Sequence, residues 1–396
     1  MNRNILHTGV QHFINENLNT DIVSVLLKKV SFDGVGTKEL VQQIEAKKKC
    51  DTKLPIWFKT TGIYYPDKLN IEQTSSEITA QYKANLVNGK SMIDLTGGLG
   101  VDSYFFSKKM EQVVHCELDK NLSEIAEYNY DILGVKNIYC LPKNGLDYLE
   151  DSTQKFDWIY VDPSRRNNVK GKVFMLSDCL PDVPNNLSLL FKKATSILIK
   201  TSPLLDFTIG INELRSVKEI HVVAIKNEVK ELLWILEKDY LGEISIKTIN
   251  FNTGKDEKFD FGWGDEKRNI SQFGLPKTYL YEPNSAILKS GAFKTIGNTF
   301  GLKKLQEHSH LYTADKLVDF PGRTFNIEKI IPYNKKSIQK LGIQKANVTA
   351  RNFPESVEGF RKKHKIKDGG NDYVFLTTNC LKEKTILICK KIQVFG

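Results

Sequence analysis

Cysteine is scarce and unpaired in this 396-residue chain: Cys50, Cys116, Cys140, Cys179, Cys380 and Cys389 include no C-x-x-C spacing. That pattern argues against a zinc ribbon or a disulfide framework, and the six thiols read as small, reduced core residues. Histidine is scarce too. Of seven, only His308-Ser-His310 forms a close pair, and it has no cysteine or acidic complement, so no metal is expected. No apolar run approaches the length that spans a membrane, and Met1-Asn-Arg-Asn-Ile-Leu-His has no signal-peptide core, so the expected location is cytoplasmic, without membrane association. Internal repeats and low-complexity segments are also missing.

What is present is enough apolar content, 40% of residues, to bury a large core in two or three domains. Charge is unevenly placed. Residues 320–396 hold sixteen Lys/Arg against six Asp/Glu, so this segment carries the whole formal net charge of +10. A basic module beside a neutral body suits a polyanionic partner, because phosphate contacts supply affinity without reading sequence. Its densest cluster is Arg361-Lys362-Lys363-His364-Lys365, which follows a helix expected over Pro354–Phe360 and precedes an Asp-Gly turn and an alternating hairpin, Tyr373–Thr378 with Thr385–Ile392.

The most informative stretch is Ser91-Met-Ile-Asp94-Leu-Thr96-Gly97-Gly98-Leu-Gly100-Val-Asp102, a buried strand entering a glycine-rich turn and a helix. Glycines there let the backbone approach a nucleotide-sized ligand. About twenty residues on, Val113-Val114-His115-Cys116-Glu117 supplies an acid at the end of the next strand, placed to hold two ribose hydroxyls. A dinucleotide-dependent dehydrogenase and an S-adenosylmethionine-dependent methyltransferase both use such a pair. The next strands favour the methyltransferase: Asn137–Leu141 leads to Asn144, and Phe156–Val161 ends in Asp162-Pro163-Ser164-Arg165-Arg166. A carboxylate beside a proline carbonyl at a strand end can accept both hydrogens of an amine and aim its lone pair. A dehydrogenase has no use for that arrangement.

Asp94-Leu-Thr-Gly97-Gly98-Leu-Gly100, Glu117, Asn144-Gly-Leu-Asp147 and Asp162-Pro163-Ser164-Arg165-Arg166 resemble the successive motifs of class I S-adenosylmethionine-dependent methyltransferases, above all the branch that methylates amino groups of nucleic acids. Tyr281-Glu282-Pro-Asn284-Ser-Ala286, Asn347-Val-Thr-Ala-Arg351-Asn352-Phe353-Pro354 and Lys367-Asp-Gly-Gly370-Asn371-Asp372-Tyr373 extend the resemblance to bacterial methyltransferases with a C-terminal THUMP-like domain. The resemblance implies an α/β fold: a Rossmann-like, seven-stranded class I core with an N-terminal helical region and a small C-terminal α+β THUMP-like module. It implies the divisions 1–72 (helical), 73–265 (methyltransferase), 266–318 (ferredoxin-like connector) and 319–396 (basic THUMP-like domain). S-adenosylmethionine is then expected on Asp94, Thr96, Gly97, Gly98, Gly100, Asp102, Glu117 and Asn144, with Asp147 as the substitute for Asn144. Asp162 and Pro163 would be catalytic, and Ser164, Arg165, Arg166, Arg361, Lys362 and Lys363 would bind an RNA substrate, tRNA or rRNA. Ser164 and Arg165 depart from the family's usual proline and stacking aromatic, so a guanidinium would take over base or phosphate contact. A protein or small-molecule methyltransferase and a non-catalytic RNA binder are the alternatives.

Along the chain, helices are expected over Val10–Leu18, Asp21–Leu27 and Thr37–Lys48, then after a capping box Thr74-x-x-Glu77. Beyond Arg166 a basic loop, Asn167–Lys172, precedes strands at Ser196–Lys200, Ile220–Ile225 and Ile244–Phe251, with helices near Leu187–Ala194, Phe207–Leu214 and Glu228–Lys238 between them.

Overall fold

The computed structural model describes residues 1–28, 32–165, 175–339 and 342–392. Arg166 and the loop 167–172 expected over the substrate therefore lie outside the described residues, as does the side chain of Arg165.

The strands of the first sheet are β1 (Ser91–Asp94), β2 (Gln112–Cys116), β3 (Ile138–Leu141), β4 (Phe156–Val161), then, after a two-residue pair β5 (Ser164–Arg165) and β6 (Cys179–Leu180), β7 (Ala194–Thr201), β8 (Val217–Ile225), β9 (Glu228–Glu237), β10 (Ser245–Phe251) and β11 (Glu257–Gly262). Their order is β11-β10-β8-β9-β7-β4-β1-β2-β3. Parallel pairing joins β1 to both β2 and β4, β2 to β3, and β4 to β7. A parallel sheet covered on both faces needs apolar residues at consecutive positions. β4 obeys this: Trp158, Ile159, Tyr160 and Val161 are all buried. Because β1 has β2 on one side and β4 on the other, strand order reverses at this point, and a crevice opens beyond the carboxyl ends of β1 and β4. The seven strands expected from the class I pattern are there, and β10 and β11 lengthen the sheet by two.

One expected helix is a strand. The segment Glu228–Lys238, expected as a helix, contains β9, Glu228–Glu237, with Leu232, Leu233, Trp234 and Leu236 wholly buried. An unbroken apolar run has no period to distinguish a core strand from a core helix. The overlooked signal was Lys226-Asn227, which adopts φ of 50° and 63° and makes a two-residue hairpin turn between β8 and β9.

Two compact units divide the chain, one holding residues 1–201, 208–217 and 234–240, the other 202–207, 218–233 and 241–396. In the first, helices Thr8–Glu16, Ile22–Leu27 and Thr37–Lys53 form the N-terminal region. The helix Glu77–Ala84 starts from Ser76, whose hydroxyl accepts the Thr79 N–H; the expected cap at Thr74 is displaced because Glu77 accepts the Ile56 N–H instead of reaching back. In the second unit, β12 (Tyr279–Pro283), β13 (Lys303–Lys304), β14 (Tyr312–Ala314), β15 (Gly322–Pro332), β16 (Lys345–Arg351), β17 (Lys367–Thr378) and β18 (Lys384–Lys391) form a sheet of order β13-β14-β12-β15-β18-β17-β16. Phe360 anchors the helix Val357–His364 in a core with Ala346, Val374, Leu376 and Ile386. That helix starts three residues later than expected, where Ser356 caps it, because Pro354 and Glu355 lie before the first turn. The expected turn at Asp368-Gly-Gly370 is a bulge inside β17: Gly369 and Gly370 hold φ of 93° and 87°, and pairing jumps from Ala346↔Asp368 to Asn347↔Tyr373. Among the described residues, no helix is long and apolar enough to cross a membrane.

Candidate cofactor and substrate site

The glycine turn is held by the strand that enters it. Asp94, the last residue of β1, is 1% exposed; its Oδ1 accepts the Thr96 N–H at 2.9 Å and its Oδ2 the Ser103 hydroxyl at 2.7 Å. The carboxylate thus ties the turn to the helix Val101–Ser107. Burial pushes the Asp94 carboxyl up to about 7, against the hydrogen bonds from Ser103 and Thr96 that favour its charge. Since this exceeds the ordinary value of 3.8, folding favours the protonated acid, and that contribution is complete below about pH 4 and lost as pH rises through about 7. Asp94→Asn is therefore expected to flatten the stability profile between pH 4 and 8, measured by urea unfolding at several pH values. Parallel profiles for the two proteins would contradict it.

The three glycines serve different ends. A Cβ on Gly97 would lie 2.2 Å from His115 Nε2, and one on Gly100, at φ 82°, would lie 1.8 Å from the Tyr130 hydroxyl oxygen. Both are excluded by the protein's own side chains. Gly98, at φ 57°, meets nothing nearer than the Thr96 carbonyl at 3.9 Å, so it alone of the three has the open approach that a ligand requires.

Glu117, just past β2, has Oε2 accepting the Gly98 N–H at 2.8 Å and Oε1 accepting the Asp119 N–H at 2.8 Å. Capping of the following helix, Lys120–Ile132, falls to Asp119, whose Oδ1 accepts from Asn121 and Leu122. Each carboxylate oxygen of Glu117 keeps a second lone pair for a hydroxyl donor. Asn144 caps the helix Gly145–Asp151 through Oδ1, which accepts the Leu146 N–H; Asp147 is exposed on that helix.

Asp102, expected beside the cofactor, is buried among side chains of other elements. Its Oδ2 accepts from the Ser75 and Tyr160 hydroxyls, both at 2.8 Å, and its Oδ1 lies 3.1 Å from the fully buried Lys83 Nζ. Burial opposes its charge most strongly, yet Lys83, Lys200 and the two hydroxyls outweigh it and hold the carboxyl below its ordinary range.

At the end of β4, the Asp162 N–H donates to the Thr96 hydroxyl at 2.8 Å, which locks the two strand ends together. The Asp162 Oδ2 is ion-paired with Lys200 Nζ from β7. Oδ1 has no partner among the described residues, and the side chain is 34% exposed. Pro163 is buried and Ser164 exposed. Lys200 was not singled out in the sequence; a lysine at the end of a buried strand, in Ile-Lys200-Thr-Ser-Pro, was the available signal. Lys53 was also missed. Burial and then the charge of Lys200 push its pKa down to about 8, and its ammonium donates to the Glu72 carbonyl at 2.7 Å.

In the second unit, Arg361 pairs with Asp368, and Lys363 lies 3.5 Å from Glu355 and 3.4 Å from the Tyr333 hydroxyl. Of the three basic residues of the tail expected to meet RNA, only Lys362 has no such partner among the described residues. It lines an open depression of about 550 Å³ with Arg361, Lys365, Lys367 and Glu358. Lys362, Lys365 and Lys367 are exposed and have no acidic partner among the described residues.

Two family models match the C-terminal part: a ferredoxin-like domain over residues 279–321 and a THUMP-like domain over 322–391. A curated relative, a Mycoplasma mobile protein named as an uncharacterized RNA methyltransferase, is 26% identical over 179 residues, 42% of this chain. The match spans 48% of that protein, about half its length. A crystal structure of a candidate methyltransferase from Porphyromonas gingivalis W83 is 32% identical, covers 99% of both chains and superposes with a TM-score of 0.90. On that likeness, end to end, the chain belongs to the methyltransferase family of the Porphyromonas gingivalis protein and carries a C-terminal THUMP-like domain.

Proposed function

We propose that the protein transfers a methyl group from S-adenosylmethionine to a nitrogen of an RNA base. The observation that carries this reading is the free Oδ1 of Asp162, held at the strand-order reversal by the Thr96 hydroxyl and the Lys200 ion pair. Gly98 and Glu117 stand on the same edge, with an open backbone and a carboxylate suited to a nucleoside. Asn144 keeps its amide N–H₂ for the adenine end. S-adenosylmethionine, when bound, supplies the electrophilic methyl group. Asp162 Oδ1 would accept one hydrogen of the target nitrogen and the Pro163 carbonyl a second, leaving the lone pair directed in line; positioning of this kind does most of the work. The pairing with Lys200 fixes which Asp162 oxygen faces substrate, and no side-chain nucleophile is required. We keep the division 1–72, 73–265, 266–318 and 319–396 as our reading of the domains, and Ser164, Arg165 and Arg166 as substrate contacts.

S-adenosylhomocysteine is expected to raise the melting temperature, because a ligand that binds only the folded state stabilises it in proportion to its occupancy. Glu117→Ala should weaken that binding by roughly 1–3 kcal/mol, the cost of leaving ribose hydroxyls without an acceptor. Calorimetric titration of both proteins checks it, and equal affinities would move the ribose site elsewhere.

RNA is the substrate class that the basic tail and the Mycoplasma relative support. Lys362, Lys365 and Lys367 are the expected phosphate-binding residues, with Arg361 and Lys363 partly neutralised. Replacing those three lysines by Gln should lower the slope of log K against log[salt] by about 0.7–0.9 for each lysine that meets a phosphate, read by fluorescence anisotropy of a labelled RNA. An unchanged slope would make this face a solvated surface.

A further inference from the structure

Lys304, in β13, is a nearly buried lysine of the second unit. It is 4% exposed, and among the described residues no oxygen accepts from its Nζ. Its backbone is fixed on both sides, by the Gln272 carbonyl at 2.7 Å and the Gly274 N–H at 3.1 Å, so the side chain cannot swing out with its strand. The ammonium lies 5.4 Å from the centre of the Phe293 ring and 6.0 Å from that of Tyr312. Ring faces attract a cation but accept none of its hydrogen bonds in the way an oxygen does. Two acids are within electrostatic reach, Glu266 and Glu307. Glu266 is occupied elsewhere, accepting from the Lys294 and Thr295 N–H groups and the Thr295 hydroxyl.

His310 stacks on the other partner of this lysine. Its ring centre is 3.8 Å from that of Phe293, its backbone is held at φ 52°, and its Nδ1 is buried with no hydrogen-bond partner among the described residues. Burial first, then the charges of Lys304, Arg351 and His308, push its pKa down to about 4. Arg351 approaches from the Asn347–Pro354 motif, and its neighbour Asn352 donates to Gln306 Oε1 at 2.6 Å, which docks that motif on the turn carrying His308 and His310. Behind them the 3%-exposed Glu282 carboxylate accepts from Arg351 at Oε1 (2.9 and 3.1 Å) and from Arg323 at Oε2. One acid orients two guanidiniums, and both arginines stay about a third exposed, so positive charge remains available.

A lysine buried along its stem whose ammonium has no oxygen acceptor among the described residues, a buried ring nitrogen without a donor or acceptor, and a clamped guanidinium make up an incomplete polar set. We propose that Lys304, His310 and Arg351, with Glu282 and Arg323 as their support, form an anion site that takes a phosphate group. A phosphate supplies several acceptor oxygens to Lys304 and Arg351, and its negative charge favours the protonated His310 ring as a third donor. Under the proposed function the phosphate belongs to RNA, and only that assignment of source rests on the RNA reading.

The test is to titrate the full chain with inorganic phosphate, and separately with a short single-stranded RNA, while following the His310 ring proton by NMR. Saturable movement of that resonance with phosphate, with a raised His310 pKa in its presence, is the expected result. Movement with RNA as well assigns the site to the nucleic-acid backbone; movement with phosphate alone supports the site and assigns it to a smaller phosphoester. Lys304→Met keeps the apolar stem and removes the charge. It should raise the melting temperature of the free protein and abolish stabilisation by phosphate, with Arg351→Gln as a second variant that spares the core. A His310 resonance indifferent to both ligands, or phosphate binding undiminished in both variants, would overturn the site. Failure of methyl transfer with phosphate binding intact would count against the enzyme reading alone.

Discussion

Asp162→Ala is expected to lose methyl transfer by roughly a hundredfold or more while binding S-adenosylhomocysteine as the parent does. On the proposed reading the carboxylate faces substrate through Oδ1, while its link to the turn runs through the backbone N–H to the Thr96 hydroxyl, which alanine preserves. Asp162→Asn provides the comparison. It retains one carbonyl acceptor and the side-chain volume but loses the charge paired with Lys200, so activity between the parent and the alanine variant is expected. Single-turnover assays with saturating cofactor separate the chemical step from binding. Full activity in a folded Asp162→Ala protein would remove Asp162 from the reaction.

The second large effect separates glycines that serve the fold from the one proposed to serve the ligand. Gly100→Ala is expected to destabilise the protein by about 3 kcal/mol or more, because a left-handed backbone and an overpacked neighbour add. The colliding atom, the Tyr130 hydroxyl, is buried and donates to the Gly100 carbonyl at 2.9 Å, so it cannot give way cheaply. Gly98→Ala meets open space and should cost only about 1 kcal/mol from its positive φ. Its larger effect should fall on cofactor affinity, where the added methyl occupies the ligand's approach. Urea unfolding and calorimetric titration on the two variants read these apart. Equal stability losses, or unchanged cofactor affinity in Gly98→Ala, would contradict the distinction.

The parts of this protein that were legible in sequence are those where backbone chemistry constrains residue type. A glycine turn after a buried strand, an acid about twenty residues later and a strand ending in Asp-Pro are local patterns. They located the edge of the sheet on which Gly98, Glu117 and Asp162 now stand. What local pattern could not supply was which of those groups faces outward. Gly97 and Gly100 are required by His115 and Tyr130, which fold back from β2 and the next helix, and no spacing rule anticipates that. Asp102 was expected beside the cofactor and is a buried partner of Lys83, because the helix Glu77–Ala84 brings that lysine to it from an earlier element. Lys200 escaped notice since its significance depends on β7 lying beside β4. β9 was misread because its buried run, Glu231–Leu236, erases the alternation that identifies strands. In the basic tail, charge counting located a segment but could not show that Arg361 and Lys363 pair with Asp368 and Glu355, since those acids meet them only in the fold.

The measurement that bears most directly on the central claim is transfer of a radiolabelled methyl group from S-adenosylmethionine to total RNA prepared from cells lacking this protein, followed by nucleoside analysis. Incorporation into one methylated base by the parent, none by Asp162→Ala, and none into RNA from cells that contain the protein is the predicted result. Label appearing only in protein or small-molecule fractions, or equal incorporation by the parent and Asp162→Ala, would contradict it.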